Sequence, residues 1–426
     1  MIPALTVLAI ILTWGEGEAA SPPQPLPLTT SVCAVSLLWE RITTGGHNAC
    51  GDAVPCAAGA SSTRAAMASA KAKGFEVLRF AASGFWPVDH ALFVNSTTRP
   101  LFFAALDSVF DDAKRLGVRL IPSMQWNHWA FVDVCHESLG RDMMRNASSC
   151  SYIGTREFVT TLVARYSTGK YADVVYAWEL GNELNLLVDL SHANSTIGCA
   201  PQFGTPAMRA PADNFTTADM VEFQRAVAGW VRGAAGANAA ALLSSGHAVP
   251  RGAAHHLALS YNAPQRDWTA DSAAQLQSVL TLTHRDLDLI SVHIYPGPAA
   301  CAASSTPSAQ SCPNYRWGTQ PWDLLAVAAD AAAASGKAVY LGEFGVSLPD
   351  RHNASSPIYN FTERMLTAAQ QHGVQLATLW SWELGAQNAT YAIYPANATS
   401  QNDARTIRAL QRYGTAPYVR RARAKD

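Results

Sequence analysis

Two glutamates in this chain end apolar runs in the same way. In Tyr176-Ala177-Trp178-Glu179-Leu180-Gly181-Asn182-Glu183, which follows Val174 and Val175, the apolar character stops at Gly181, Asn182 and Glu183. In Ala338-Val339-Tyr340-Leu341-Gly342-Glu343-Phe344-Gly345 it stops at Gly342 and Glu343. A carboxylate at the end of a buried strand sits on a stiff element yet faces the loops, which suits an acid, a base or a nucleophile. Two such carboxylates with different proton affinities can cleave a glycosidic bond. One protonates the leaving oxygen while the other attacks the anomeric carbon. If the chemistry retains configuration, the two groups stand about 5–5.5 Å apart.

Positioning them requires a scaffold, and the apolar pattern supplies one. Runs at 32–39, 75–80, 118–124, 172–180, 241–246, 287–294, 338–341 and 375–380 read as strands. They are continuous rather than alternating, as strands buried on both faces should be. Helical stretches lie between them at 61–73, 100–116, 155–166, 217–235, 271–282, 322–335 and 357–372, with a last one at 401–413. The helix at 100–116 has apolar residues at 102, 103, 106, 109, 110 and 113, and Gly117 ends it. Eight βα units predict an α/β fold of one (β/α)8 TIM barrel with disulfide-stapled loops. A doubly wound open sheet is the alternative, and no glycine-rich phosphate loop supports it.

Barrel chemistry gathers where strands end. Those exits read Arg79 on the second strand, Gln125, Trp126, Asn127 and His128 after the third, and Asn182 and Glu183 on the fourth. His247 follows the fifth, His293 and Tyr295 end the sixth, Glu343 the seventh and Trp380 the eighth. Each has an ordinary reading as a salt-bridge partner, core histidine or packing residue; together, on different strands, they predict a site. Glu179, four residues before Glu183, is expected to be a structural partner. Trp86, Trp126, Trp129, Trp317, Trp380 and Trp382 are candidates for sugar stacking, Trp380 foremost.

These motifs resemble the family 5 glycoside hydrolases, and more broadly the barrel glycosidases that carry carboxylates on strands four and seven. The resemblance spans 31–413 and rests first on Trp178-Glu179-Leu180-Gly181-Asn182-Glu183. Val292-His293-Ile294-Tyr295-Pro296, Leu341-Gly342-Glu343-Phe344-Gly345, Arg79 and Trp380 carry the rest. It implies Glu183 as acid/base, Glu343 as nucleophile, Asn182 on the sugar 2-hydroxyl, and His293 and Tyr295 supporting the carboxylates. It also implies that the Trp126, Asn127 and His128 loop shapes the sugar subsites. Leu184 stands where many members have proline, and Trp126-Asn127-His128 where many cellulase-like members have paired histidines. The motifs are most similar to the endo-β-1,4-mannanase branch. β-Glucanase or cellulase action, transglycosylation and a silent carbohydrate-binding barrel are the alternatives.

The remaining sequence bounds the setting. With 426 residues and 49% hydrophobic content the chain can bury a large core, and a net charge of −1 gives no reason to expect nucleic acid. Residues 1–20 read as a signal peptide, with an apolar run at 2–12 and small residues at Gly17, Ala19, Ala20 and Ser21. The absence of Lys and Arg before that run makes an uncleaved anchor the alternative. Residues 21–30 read as a proline-rich linker, 31–415 as the catalytic domain and 416–426 as a basic, solvated tail. Half of the 16 asparagines lie in Asn-x-Ser/Thr sequons (Asn95, Asn146, Asn194, Asn214, Asn353, Asn360, Asn388 and Asn397), which predicts a glycosylated surface. Eight cysteines, an even number, predict disulfides in a secreted chain, with Cys135/Cys150 and Cys301/Cys312 as close pairs. No Cys-x-x-Cys occurs, so no metal is expected, nor a cofactor. The expected partner is a polysaccharide, a β-mannan or β-glucan; the mature chain is expected to be extracellular, monomeric and free of membrane.

Overall fold

The computed structural model describes residues 28–34, 38, 60–83, 87–192, 208–236, 241–296, 320–383, 390–395 and 401–414. Eight parallel strands form the centre: β1 (Thr29–Cys33), β2 (Val77–Ala81), β3 (Arg119–Ser123), β4 (Ala177–Glu179), β5 (Leu242–Ser244), β6 (Leu289–His293), β7 (Ala338–Phe344) and β8 (Leu376–Leu379). Their order, β5-β4-β3-β2-β1-β8-β7-β6, curls the sheet until β5 and β6 meet. Asp288 closes that seam: its N–H donates to the Leu243 carbonyl (3.1 Å), and its Oδ2 accepts from the Leu243 N–H (3.0 Å). The architecture is a (β/α)8 barrel, as the strand pattern predicts.

The helices alternate with the strands and carry clear end signals. Arg99–Leu116 starts with proline in its first turn and stops at Gly117, whose φ of 63° is left-handed. Thr216 and Asp219 form a capping box at the start of Thr217–Ala235, and Ser272 and Gln275 do so for Ala273–Thr283. Between strands and helices lies an apolar layer built on Phe75, Phe80, Phe102, Phe110, Phe158 and Tyr166. Phe110 stacks on Tyr166 with centroids 3.9 Å apart. Burying each such side chain contributes about 1.5–3 kcal/mol.

Inside the barrel the residue type changes along the strands. Val77, Ile121, Ala177, Leu289, Tyr340 and Leu376 fill one level. Side chains repeat on one face every second residue, so the next level comes two positions on: Arg79, Ser123, Glu179, Ser291 and Thr378, all buried. The interior therefore turns polar before the chain reaches the loops.

Two expectations shift. β1 begins at Thr29, three residues before the apolar run, because its hydroxyls are satisfied. Thr30 donates to the Leu410 carbonyl (3.1 Å) and Ser31 to that of Val77 (2.7 Å). Cys135 and Cys150 do form a disulfide, joining two helix ends, but the even cysteine count misleads for Cys33. That thiol is free and buried in the barrel. Cys50, Cys56, Cys199, Cys301 and Cys312 lie outside the described residues, as do the signal, linker and tail segments, apart from residues 28–30. Among the described residues no helix is long and apolar enough to cross a membrane.

Buried histidines give the fold a pH signature. His128 and His284 are each held down to about 4 by burial. Their folded values lie below the ordinary value near 6.5, so the unfolded chain takes up protons first as pH falls. Stability is full above about pH 6.5 and drains between there and pH 4, at about 1.4 kcal/mol per pH unit for each histidine. Urea midpoints at pH 7 and pH 5 should show this loss. His284→Gln should reduce the slope, whereas a slope unchanged by that substitution would contradict the assignment.

Candidate active site

The polar level of the barrel centres on Arg79, whose side chain is fully buried. Its Nε donates to both oxygens of Glu179 (3.0 and 2.9 Å), and Nη2 donates to Glu179 Oε1 (2.7 Å) and Asn182 Oδ1 (2.8 Å). Nη1 donates to Glu343 Oε1 (2.5 Å). Burial opposes its charge, yet Glu179 and Glu343 hold the guanidinium protonated, above its ordinary range. Glu179 thus has the buried partner expected of it.

Glu343 also accepts from the Tyr295 hydroxyl (2.7 Å on Oε2). Burial, with Glu343 alongside, pushes the Tyr295 hydroxyl well up, so it remains a donor. Gly342 makes room for the next partner. The β6–β7 register slips there, pairing Val292 with Leu341 but His293 with Glu343. A Cβ on Gly342 would lie 2.7 Å from His293 Nε2. In that space His293 turns Nδ1 to Glu183 Oε1 (2.9 Å), with Glu343 Oε1 at 3.6 Å. The three ligand atoms of Glu183, His293 and Glu343 all lie within 4.8 Å of one another.

Glu183 is held through its backbone. Its N–H donates to the Gly246 carbonyl (2.8 Å), that of Asn182 donates to the Gln125 carbonyl (3.1 Å), and Glu183 takes a left-handed φ of 56°. Two glycines permit this packing. A Cβ on Gly181 would lie 2.4 Å from His128, and one on Gly246 would lie 1.9 Å from the Gly181 carbonyl oxygen. Burial raises the Glu183 carboxyl, but the hydrogen bond from His293 and the positive surroundings that include Arg79 outweigh it. The net shift is downward, to the ionised form. A general acid calls for a less cationic setting than this one: burial is present, but so is the Arg79 guanidinium.

An open cleft of ≈ 850 Å³ lies over these groups, walled by Trp126, Asn182, Glu183, Leu186, Ala248, His293, Tyr295, Glu343 and Trp380. Trp126 and Trp380 are nearly parallel at 17°, centroids 5.8 Å apart, and Arg79 sits 4.7 Å behind Trp126. Asn182 spends its oxygen on Arg79, which leaves its amide N–H groups for a ligand. The remaining members of the sequence-derived set sit elsewhere. Asn127 Oδ1 caps the Trp129 N–H (3.1 Å), and His128 is buried with Nε2 against the Asn182 carbonyl (2.8 Å). Trp382 is core, edge-on to Phe75. Trp129 packs under Arg209 at 3.8 Å, and Trp86 and Trp317 lie outside the described residues. Leu186 and Ala248 were not legible as cleft residues; apolar loop positions carry no chemical signal.

Glu183, His293 and Glu343 could touch a cation geometrically, yet the Arg79 guanidinium already occupies Glu343 Oε1. Its charge disfavours a second cation there.

Comparison with known proteins bears on the scaffold. No family model matches the chain, and no curated protein sequence does. Solved structures do. An endo-1,4-β-mannanase from Rhizomucor miehei aligns over 93% of this chain and 97% of its own, with a TM-score of 0.60 and 14% identity. The fold is that of the family 5 glycoside hydrolases. A second member of that fold group, the endo-β-1,4-mannanase of Thermotoga petrophila, covers 92% of this chain and 78% of its own (TM-score 0.51, 15% identity). A family 5 xyloglucanase from Paenibacillus pabuli covers 91% and 98% (TM-score 0.52, 15% identity). At these identities the family 5 likeness is one of fold, and the chemistry rests on the residues in the cleft.

Proposed function

We propose that the protein is a secreted retaining glycoside hydrolase that cleaves a β-1,4-linked polysaccharide, with β-mannan the favoured substrate. The observation that carries this reading is the Glu183–His293–Glu343 cluster, its ligand atoms within 4.8 Å, at the strand ends and open to the cleft. That closeness is in keeping with the about 5–5.5 Å of a retaining pair rather than the about 6.5–9.5 Å of an inverting one.

Glu343, ionised and held by Arg79 and Tyr295, attacks the anomeric carbon and forms a glycosyl ester. Glu183 passes its proton to the departing oxygen. In the second step Glu183 takes a proton from water, whose oxygen attacks the anomeric carbon and releases Glu343. The first step needs Glu183 protonated, although His293 and Arg79 favour its charged form in the open cleft. A bound sugar chain expels water, and this strengthens the burial that already works against the charge. Asn182 donates to the sugar 2-hydroxyl, and Trp380 with Trp126 offers the stacking wall.

Extracellular location is part of the proposal. The Cys135–Cys150 disulfide is at home in an oxidising compartment. The sequon residues Asn95, Asn146, Asn353 and Asn360 are exposed, as glycosylation needs. Mannan rather than glucan is supported by the Trp178–Glu183 and His293–Pro296 motifs.

The test is a panel of β-1,4-mannan, cellulose and mixed-linkage β-glucan, scored by new reducing ends. Release from mannan in excess of the glucans is expected. Cleavage of glucan alone would replace mannan as substrate, transfer to added acceptor sugars would make the protein a transglycosylase, and binding without release would refute catalysis.

A further inference from the structure

The hydrogen bonds of Arg79 are divided unevenly. Its Nε and Nη2 side carries Glu179, with contacts of 2.7–3.0 Å, while only Nη1 reaches Glu343, with the Cys33 thiol 3.9 Å away on the same nitrogen. Glu179 itself is fully buried and forms no part of the cleft wall. It touches the reacting centre only through a shared cation. We propose that Glu179 is a positioning residue that cancels the charge of Arg79 and fixes its plane, so that Glu343 meets the tip of a neutral pair instead of a free cation. The proposal deepens the double-displacement reading and rests on it for the role of Glu343.

The physical reason is a conflict in what Arg79 must do. A guanidinium keeps a buried carboxylate ionised, which a nucleophile needs. Bound to that carboxylate alone, it would also draw electron density away from the attacking oxygen and hold Glu183 ionised when it should carry a proton. A second carboxylate on the bidentate face keeps the donor geometry and removes the excess charge. β4 delivers both partners: Glu179 at its end grips the arginine from below, and Asn182, three residues on, takes the other Nη2 proton.

The other ionisable groups around this pair do not compete for the role. Cys33 from β1 and Tyr340 from β7 are pushed up by burial and stay neutral, as does Tyr295 beyond β6. His128 is held down to about 4 by burial. The remaining ionisable groups that face Arg79 are Glu179 and Glu343, which it touches, with Glu183 and His293 beyond them.

Glu179→Gln and Glu179→Asp in the full chain test this. Gln keeps the volume and removes the charge; Asp keeps the charge but withdraws it by one methylene. With Glu179→Gln, both limbs of the pH–rate profile should move to lower pH by about one to two units. Its kcat should fall roughly tenfold with KM little changed. Asp should give a smaller shift in the same direction, and it decides the matter if Gln fails to fold. A loss of kcat with both limbs in place would mark Glu179 as merely structural and overturn the proposal. Carboxyl titrations of the site, followed by carbon-13 NMR on labelled glutamate without substrate, give a second readout. An ordered acidward displacement, Glu to Asp to Gln, upholds the charge cancellation, and superimposable curves overturn it. If the parent cleaves no glycoside, the functional reading falls while these titrations still judge the inference.

Discussion

Glu343→Ala should fold and bind its polysaccharide yet lose turnover by at least about 10⁴-fold, the scale on which removing one member of a catalytic unit acts. The fold should survive because Arg79 is not stranded: Glu179 and Asn182 still accept from its Nε and Nη2. A thermal midpoint close to the parent's, beside absent reducing-end release, is the expected pair of results. The cavity left by the side chain adds a stereochemical check. Azide entering it can form a carbon–nitrogen bond at the anomeric carbon as an activated aglycone departs, and the product should be inverted. Undiminished hydrolysis by the variant would disqualify Glu343 as the nucleophile.

The second large effect belongs to Glu183 and depends on the leaving group. Glu183→Ala should slow polysaccharide cleavage by about 10²–10⁴-fold, the usual worth of a general acid. An aryl glycoside whose phenol departs without a proton should still react with Glu343, and the enzyme should accumulate as its glycosyl ester because no base activates water. Azide should discharge that ester with configuration retained, opposite to the Glu343 variant. The alkaline limb of the pH–rate profile should disappear with Glu183. Equal losses on activated and natural substrates would mean that Glu183 does something other than protonate.

Both glutamates were legible because their signals are local. Each closes an apolar run, and the end of such a run is visible in one stretch of chain. The same holds for Arg79, Asn182, His293, Tyr295 and Trp380, all of which the structure gathers around one cleft or directly beneath it. What escaped depends on contacts between distant segments. Asn127 and His128 leave their strand beside Trp126, but the chain turns there into helix Trp129–Cys135, taking Asn127 into a cap and His128 behind Asn182. Trp382, two residues past Trp380, enters the core against Phe75 and donates to the Ala66 carbonyl. The free state of Cys33 is set by the barrel interior, which offers it an arginine and, among the described residues, no second thiol. The polar level holding Glu179 could have been found by stepping two residues beyond each strand's inward apolar position, as Val77 to Arg79 and Ala177 to Glu179 show.

The contact between Gly181 and Gly246 has a consequence for how this protein could be altered. The segment that carries Glu183 is fastened to the ends of β3 and β5 by backbone groups, and Asn185 adds bonds to both the N–H and the carbonyl of Ala248. The bonds that fasten Glu183 come from residues 182, 183 and 185, ahead of most of the long connection that runs toward helix Thr217–Ala235. That connection should therefore tolerate lengthening, shortening or exchange as a cassette while Glu183 keeps its address.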